Sequence, residues 1–448
     1  MRDAIVKLRI IPVILYVITG VIILLPFHAL LTVWAGSNFG HYTLFRLWKE
    51  ILIFIIGLLA IYLLIVDKRV RQSILSTKVV WIIGAYLALE LVMGIVARLN
   101  HSVSTEALAY GLLDDLRFLA FFIICWLAAS YSNQLSNNWI KLIIWPAIIV
   151  IGFGLLQMTV LPANVLTHFG YGPHTIMPYE TINQNRHYIR ILSTLRGANP
   201  LGAYLIVPIS VLAVLLIRYP KSWNWAKALL LLAAGIVLFG SYSRAAWIGA
   251  VLSCLFVGGS YIDRALLKRF KLPIIIASMS IIVLLSIGAL VLSHSSTFQN
   301  IIFHTQTNSA APISSDQAHL KAVLGGINKL ASQPLGDGPG VSGPASVYNH
   351  DRPARIPENY FLEIGEESGV LGMLLFIAIN IGVASLLWHR RQSPFALALL
   401  AAFIGITFVN LLSLAWTDDT LSYLWWGLAG IAMALPADRL RIEKGQTS

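Results

Sequence analysis

Arginine is the residue type whose placement first suggests chemistry here. Arg186, Arg190 and Arg196 fall in the run Gln184-Asn-Arg-His-Tyr-Ile-Arg190-Ile-Leu-Ser-Thr-Leu-Arg196-Gly-Ala-Asn199-Pro200, which leads straight into apolar sequence. Arg244 follows in Ser241-Tyr-Ser-Arg-Ala-Ala-Trp247, almost inside apolar sequence, where a charge is costly. Guanidinium groups donate two parallel hydrogen bonds, so several of them beside Asn199 suit a phosphate or diphosphate. The alternative is that each reaches lipid headgroups by itself.

Carboxylates form the second group. Glu358, Glu363, Glu366 and Glu367 lie in Pro357-Glu-Asn359-Tyr-Phe-Leu-Glu363-Ile-Gly-Glu366-Glu367-Ser-Gly369. Acidic residues at a helix start are favoured by its dipole, which accounts for one or two of them but strains at four. Glu363 and Glu367 share a helix face by spacing. Glu358 stands just before the apolar run, where an acceptor group could reach it. It is the first candidate for a general base, and His319 is the second. Partial desolvation at an interface pushes a carboxylate's pKa towards neutrality, which suits that role. His319 can equally be a packing or surface residue.

Asp114, Asp115 and Arg117 form one further charged cluster, and Arg46, Lys49 and Glu50 another. Each can simply pair internally. Gly338 to Gly343 spells G-x-G-x-x-G, but no βαβ unit surrounds it, which removes the dinucleotide reading and leaves a weak phosphate-turn reading. No Asp/His cluster has metal-ligand spacing, and neither a metal nor a cofactor is expected.

These residues must be positioned by membrane helices. The chain has 448 residues, 57% hydrophobic and 12% charged, against about 25% charged in a soluble domain. Its mean hydropathy is +0.76. Soluble globular, disordered, coiled-coil and outer-membrane barrel classes are excluded, leaving an all-α polytopic membrane protein. About twelve spans are expected, centred near residues 20, 58, 88, 123, 150, 209, 234, 252, 282, 374, 404 and 428. The first reads as a retained helix, since no cleavage site follows it.

The net charge of +12 fits a cytoplasmic excess of Lys and Arg rather than nucleic-acid binding. With both termini cytoplasmic, about 20 of the 32 Lys and Arg fall in inner segments, including 68–78 and 264–271. Two long outer segments remain, 161–199 and 294–358, the second between spans 9 and 10. Residues 315–331 should form an amphipathic helix started by Ser314-Ser-Asp-Gln317. Residues 1–448 read as a single integral-membrane domain with its chemistry on the outer face. Cys125 and Cys254 lie in apolar runs and offer no disulfide framework.

The ordered set Arg190-x-x-Ser-Thr-Leu-x-Gly-x-Asn199-Pro-Leu-Gly, Ser243-Arg244-Ala-Ala-Trp, Pro334-Leu-Gly-x-Gly and Glu358-Asn359-Tyr-x-Leu-x-x-x-x-Glu367-x-Gly resembles the O-antigen ligase and O-antigen polymerase superfamily over roughly residues 40–435. The resemblance implies a GT-C-like glycosyltransferase in the cytoplasmic (inner) membrane, working on its outer, periplasmic face. Such an enzyme moves a glycan from undecaprenyl diphosphate onto an acceptor without metal or cofactor. By the same resemblance Arg190 and Arg244 engage the diphosphate, with Arg196 as a third. Asn199, Asn359, Glu367, Lys49 and Arg117 support them.

Ligases carry His-Asn where this chain has Glu358-Asn359, so the position is closer to polymerase-type members. The expected partners are the lipid-linked donor, a glycan or lipid acceptor, a chain-length regulator and a flippase. A polymerase is favoured. An O-antigen ligase is the alternative, and a lipid-linked oligosaccharide flippase or transporter is the second.

Overall fold

The computed structural model describes residues 2–220, 224–262, 314–350 and 352–437. Helices dominate, as they must where apolar sequence in lipid has to satisfy its own backbone groups. In chain order they are α1 (Arg2–Leu24), α2 (His28–Phe39), α3 (Tyr42–Arg46), α4 (Trp48–Val66), α5 (Lys68–Leu75), α6 (Lys78–Leu99), α7 (Thr105–Tyr131), α8 (Gln134–Asn137) and α9 (Trp139–Thr159). After the ribbon β1 (Glu180–Ile182) and β2 (Asn185–Arg190) come α10 (Ala198–Arg218), α11 (Asn224–Gly240), α12 (Arg244–Tyr261), α13 (Ser315–Ser332), α14 (Tyr360–Trp388), α15 (Pro394–Asn410) and α16 (Asp419–Met433).

Eleven of the twelve expected span centres fall in these helices. The one near residue 282 lies outside the described residues. Seven segments are long and apolar enough to cross a membrane, α1 and α2 forming one continuous stretch from Arg9 to Phe39. Helices α11 and α15 are apolar but shorter. Helix α7 has 27 residues but carries Glu106, Asp114, Asp115 and Arg117 in its first half. The antiparallel β1–β2 ribbon is an addition to the all-helical expectation, and it pairs Glu180 with Arg190.

Small residues let the bundle close where the site is anchored. Gly427 and Gly430 bring α16 onto α7, against the Phe121 ring and the Phe122 carbonyl. Trp416, Trp425 and Trp426 are fully buried in the same region, beside Phe118. Gly249 of α12 faces Gly405 of α15, and Ser253 Oγ donates to Ala401 O at 2.8 Å. Close backbone approach of this kind is how helices associate where water supplies no hydrophobic drive.

Helix α14 is broken at Gly369 (φ 71°, ψ −175°). The freed carbonyls of Glu366 and Glu367 accept from Asp337 N at 2.9 Å and Gly338 N at 2.8 Å, and Val370 N donates to Pro334 O at 2.9 Å. The loop after α13 therefore completes the interrupted helix, as irregular backbone at membrane depth requires. Glu90 of α6, fully buried, accepts from Ser368 Oγ at 2.5 Å beside this break. An alanine Cβ at position 369 would stand 2.5 Å from Pro334 O in a left-handed conformation. Gly369→Ala is thus expected to cost about 1–3 kcal/mol or more, seen as a lower Tm of the purified protein in detergent.

Loops distant in sequence meet at one end of the bundle. Arg46 Nη1 donates to the Tyr348 hydroxyl at 3.3 Å, Ser102 Oγ to Asp337 O at 3.0 Å, and Asn359 Nδ2 to Leu411 O at 3.0 Å. All the sequence-derived site candidates except Glu367 and Arg117 come from these loops or the helix turns that adjoin them.

Candidate active site

Two adjoining cavities open at this end. The first, about 500 Å³, is the more polar of the two, and Arg46, Glu180, Arg196, Asp418 and Asp419 are among its walls. The second, about 550 Å³, is lined by Arg190, Arg244, Asp316 and His319 together with apolar Ile248, Leu320, Val323, Leu411 and Leu412. Glu358, Asn199, Val409 and Ser413 belong to both. The volumes are typical of small-ligand sites.

Asn359, the next residue along, fixes the position of Glu358. It is the N-cap of α14, its Oδ1 accepting from Leu362 N at 3.1 Å. Glu358 is therefore not the helix cap. It sits instead in a left-handed conformation at φ +54°. A non-glycine residue there costs on the order of 1–3 kcal/mol, and such strain concentrates at functional positions. Its carboxylate stands 3.4 Å from His319 Nδ1. The two candidate bases, 39 positions apart in the chain, are thus neighbours.

His319 is brought there by α13. Ser314 Oγ accepts from Gln317 N at 3.4 Å, as the expected capping box requires. The apolar stripe of α13 remains largely open: Leu320 is 61% exposed, although it and Val323 also line the second cavity. Such a face suits the edge of a membrane.

The arginines differ in how they are held. Arg190 donates from Nε to Ser241 O at 2.9 Å, from Nη2 to Asn199 Oδ1 at 2.5 Å, and pairs through Nη1 with Glu180 at 3.3 Å. Asn199 thus supports Arg190 directly. Burial, opposed by Glu180 and reinforced by the nearby charge of Arg244, holds the Arg190 pKa below its ordinary value. An incoming anion would relieve this. Arg244 pairs with Asp316 through both terminal nitrogens. Glu180 and Asp316 have side chains 37% and 45% exposed, so water can solvate them if a stronger anion displaces them.

Arg196 is different. It donates from Nε to Asp418 Oδ2 at 2.6 Å. Asp418 is buried and caps α16, accepting from Leu421 N at 3.1 Å. Arg196 lines the polar cavity away from Arg190 and Arg244, bound to a carboxylate that cannot leave without uncapping a helix. Arg186 is exposed and lines neither cavity.

Three supporting candidates lie elsewhere. Lys49 is fully buried and bonds Asp419 Oδ2 at 2.8 Å, Glu50 at 3.0 Å and His28 Nε2 at 3.2 Å. Arg117 reaches Asp419 Oδ1 at 2.7 Å, Asp114 at 3.0 Å and Thr417 O at 2.9 Å. Both line neither cavity. They lie behind Asp419, which does line the polar one, because two buried cations need shared counter-charges. The two charged clusters separated in the sequence are therefore one network joined by Asp419.

Glu367 also reaches neither cavity. Its Oε1 accepts from Gly340 N at 2.7 Å and Ser342 N at 3.3 Å. That uses the amides of the Gly338–Gly343 turn, which removes the phosphate-turn reading for those two groups. Glu366 binds Arg355 Nε at 2.6 Å, and Glu363 is buried against Gly343. Apart from Glu358, the acidic run pins the late loop onto α14.

Sequence reasoning missed Glu180, since its partner is set by the ribbon. It also missed Asp316 and Asp418 as arginine partners. Asp316 carried one signal, its place on the first turn of the expected amphipathic helix. Among the described residues no group of three or more His, Cys, Asp or Glu is arranged to hold a metal ion.

No curated protein matches the chain. The family model described as O-antigen ligase matches residues 228–377, a stretch that contains Arg244, Asp316, His319, Glu358 and Asn359 but neither Arg190 nor Asn199. That match covers about a third of the chain and supports a likeness to the O-antigen ligase/polymerase superfamily.

Proposed function

We propose that the protein transfers a glycan from undecaprenyl diphosphate to an acceptor hydroxyl at the outer face of the cytoplasmic membrane, in surface-polysaccharide assembly. The family match supports O-antigen ligase/polymerase-type activity in general and a multi-pass membrane protein. The observation that carries the finer reading is the position of Glu358 on both cavities. The diphosphate binds Arg190 and Arg244 in one, displacing Glu180 and Asp316, and the acceptor enters the polar one.

The acceptor oxygen attacks the anomeric carbon from the side opposite the diphosphate. The C–O bond to the diphosphate breaks, undecaprenyl diphosphate leaves, and the hydroxyl proton passes to Glu358. One displacement of this kind inverts the anomeric centre. The guanidinium groups stabilise charge that builds on the departing oxygen, an electrostatic role that needs no metal. The apolar residues of the second cavity, Ile248, Leu320, Val323, Leu411 and Leu412, suit the polyprenyl chain of the donor.

The acceptor is a second lipid-linked glycan in the polymerase reading, which Glu358 in place of a ligase-type histidine favours. The family match, whose description is O-antigen ligase, supports the two readings equally. Purified protein given lipid-linked glycan alone should produce a ladder of longer glycans. Product that forms only when a separate lipid-core acceptor is added assigns the ligase. The break at Gly369 is a feature that transporters also use. Its carbonyls, however, are closed by the late loop rather than presented to a cavity.

A further inference from the structure

Arg46 is a charged residue of the polar cavity that the transfer chemistry does not employ. Helix α3 places it, half-buried, on the wall of that cavity and not of the Arg190–Arg244 cavity. Two tyrosines hold it. Nη1 donates to Tyr348 Oη at 3.3 Å, and the guanidinium carbon lies 5.4 Å from the centre of the Tyr110 ring. Those rings are themselves stacked, 4.3 Å apart and 9° from parallel. The side chain is thus fixed by partners that carry no charge.

That sets it apart from the other arginines around the site. Arg190, Arg196, Arg244 and Arg117 each touch at least one carboxylate. Among the described residues no carboxylate comes within ion-pair distance of Arg46. Burial lowers its pKa, and Asp419, Tyr348 and Tyr110 together raise it above its ordinary value. Asp419 itself is already bonded by Lys49 and Arg117. A preorganised guanidinium with neutral supports, facing a cavity, is an incomplete bidentate pair awaiting an oxyanion.

We propose that Arg46 is the recognition residue of a second anion subsite, and that the glycan entering the polar cavity carries an oxyanion, a sugar carboxylate or phosphate, which its guanidinium binds. Assigning this glycan to the acceptor rests on the function proposed above; the subsite itself does not. Specificity for acidic over neutral glycans then originates at Arg46, with Tyr110 and Tyr348 as positioning residues.

The test uses the full-length protein in detergent and three probes: tetragalacturonate, the same tetrasaccharide with its carboxyls reduced, and glucose 6-phosphate. Wild type should bind one of the two anionic probes at least about tenfold tighter than the neutral one. Preference for tetragalacturonate assigns a carboxylate, and preference for glucose 6-phosphate a phosphate. Arg46→Gln should abolish the preference, and Arg46→Lys should keep part of it. Tyr348→Phe should weaken it about threefold, and it decides the matter if Arg46→Gln does not fold.

Equal binding of all three probes by wild type overturns the proposal, as does a preference that survives both variants. Undecaprenyl diphosphate binding, measured in parallel, should be unchanged in Arg46→Gln. Its absence in wild type would sink the donor reading without touching the anion subsite.

Discussion

Glu358→Gln should lower turnover by about 10²–10⁴-fold, the usual worth of a general base, while leaving donor binding close to wild type. Glutamine keeps the size of the side chain and one acceptor oxygen but cannot take up the proton. Donor binding should persist because the diphosphate partners are Arg190 and Arg244, which Glu358 does not contact. A purely structural role for Glu358 would have to be capping, and Asn359 already does that, with Leu362 N on its Oδ1. His319→Ala separates the two halves of the pair. If Glu358 takes the proton, loss of a neighbour 3.4 Å away reduces turnover less than Glu358→Gln does. Near-normal turnover in Glu358→Gln, with collapse in His319→Ala, would move the base to α13.

Arg190→Ala and Arg244→Ala should each lose about 10²–10³ in rate, the cost of removing one preorganised donor from developing charge. Arg190→Lys should fail to recover it. The Arg190 guanidinium spans Ser241 O, Asn199 Oδ1 and Glu180 at once, and a lysine ammonium cannot reproduce that planar spread. Arg196→Ala is the informative contrast. It leaves Asp418 buried without its cation, so it should damage stability more than it damages the chemical step. Rates measured on folded protein, with Tm measured alongside, distinguish the two. Wild-type turnover by Arg190→Ala or Arg244→Ala would return that arginine to a headgroup-anchoring role.

Local signals carried much of this. The Ser314–Gln317 box and the spacing of Leu320, Val323, Leu324 and Ile327 announced α13 nearly to the residue, because capping and periodicity act over a few positions. Apolar runs located the helices for the same reason. The arginines were recognisable because charge beside apolar sequence is expensive. Which anion each one meets was not legible. Arg196 and Asp418 are 222 positions apart, and only the packing of α16 on α7 and α10 brings them together. Glu180 reaches Arg190 through a two-stranded ribbon too short to show an alternating pattern. The acidic run was read as one group, yet the break at Gly369 and the returning loop divide it: Glu358 faces the cavities, while Glu363, Glu366 and Glu367 turn inward. Gly369 within apolar sequence, and Glu90 inside an apolar helix, were the local hints of that arrangement.

The central claim, that this protein breaks the bond between glycan and lipid diphosphate rather than carrying the intact molecule across the membrane, is tested most directly by following undecaprenyl diphosphate. Purified protein in liposomes would be given glycan-loaded donor in the outer leaflet, and free undecaprenyl diphosphate would be quantified with time. The account predicts its release, one molecule for each glycan transferred, with release nearly abolished in Glu358→Gln. Intact donor appearing in the opposite leaflet, with no free undecaprenyl diphosphate formed, would contradict it.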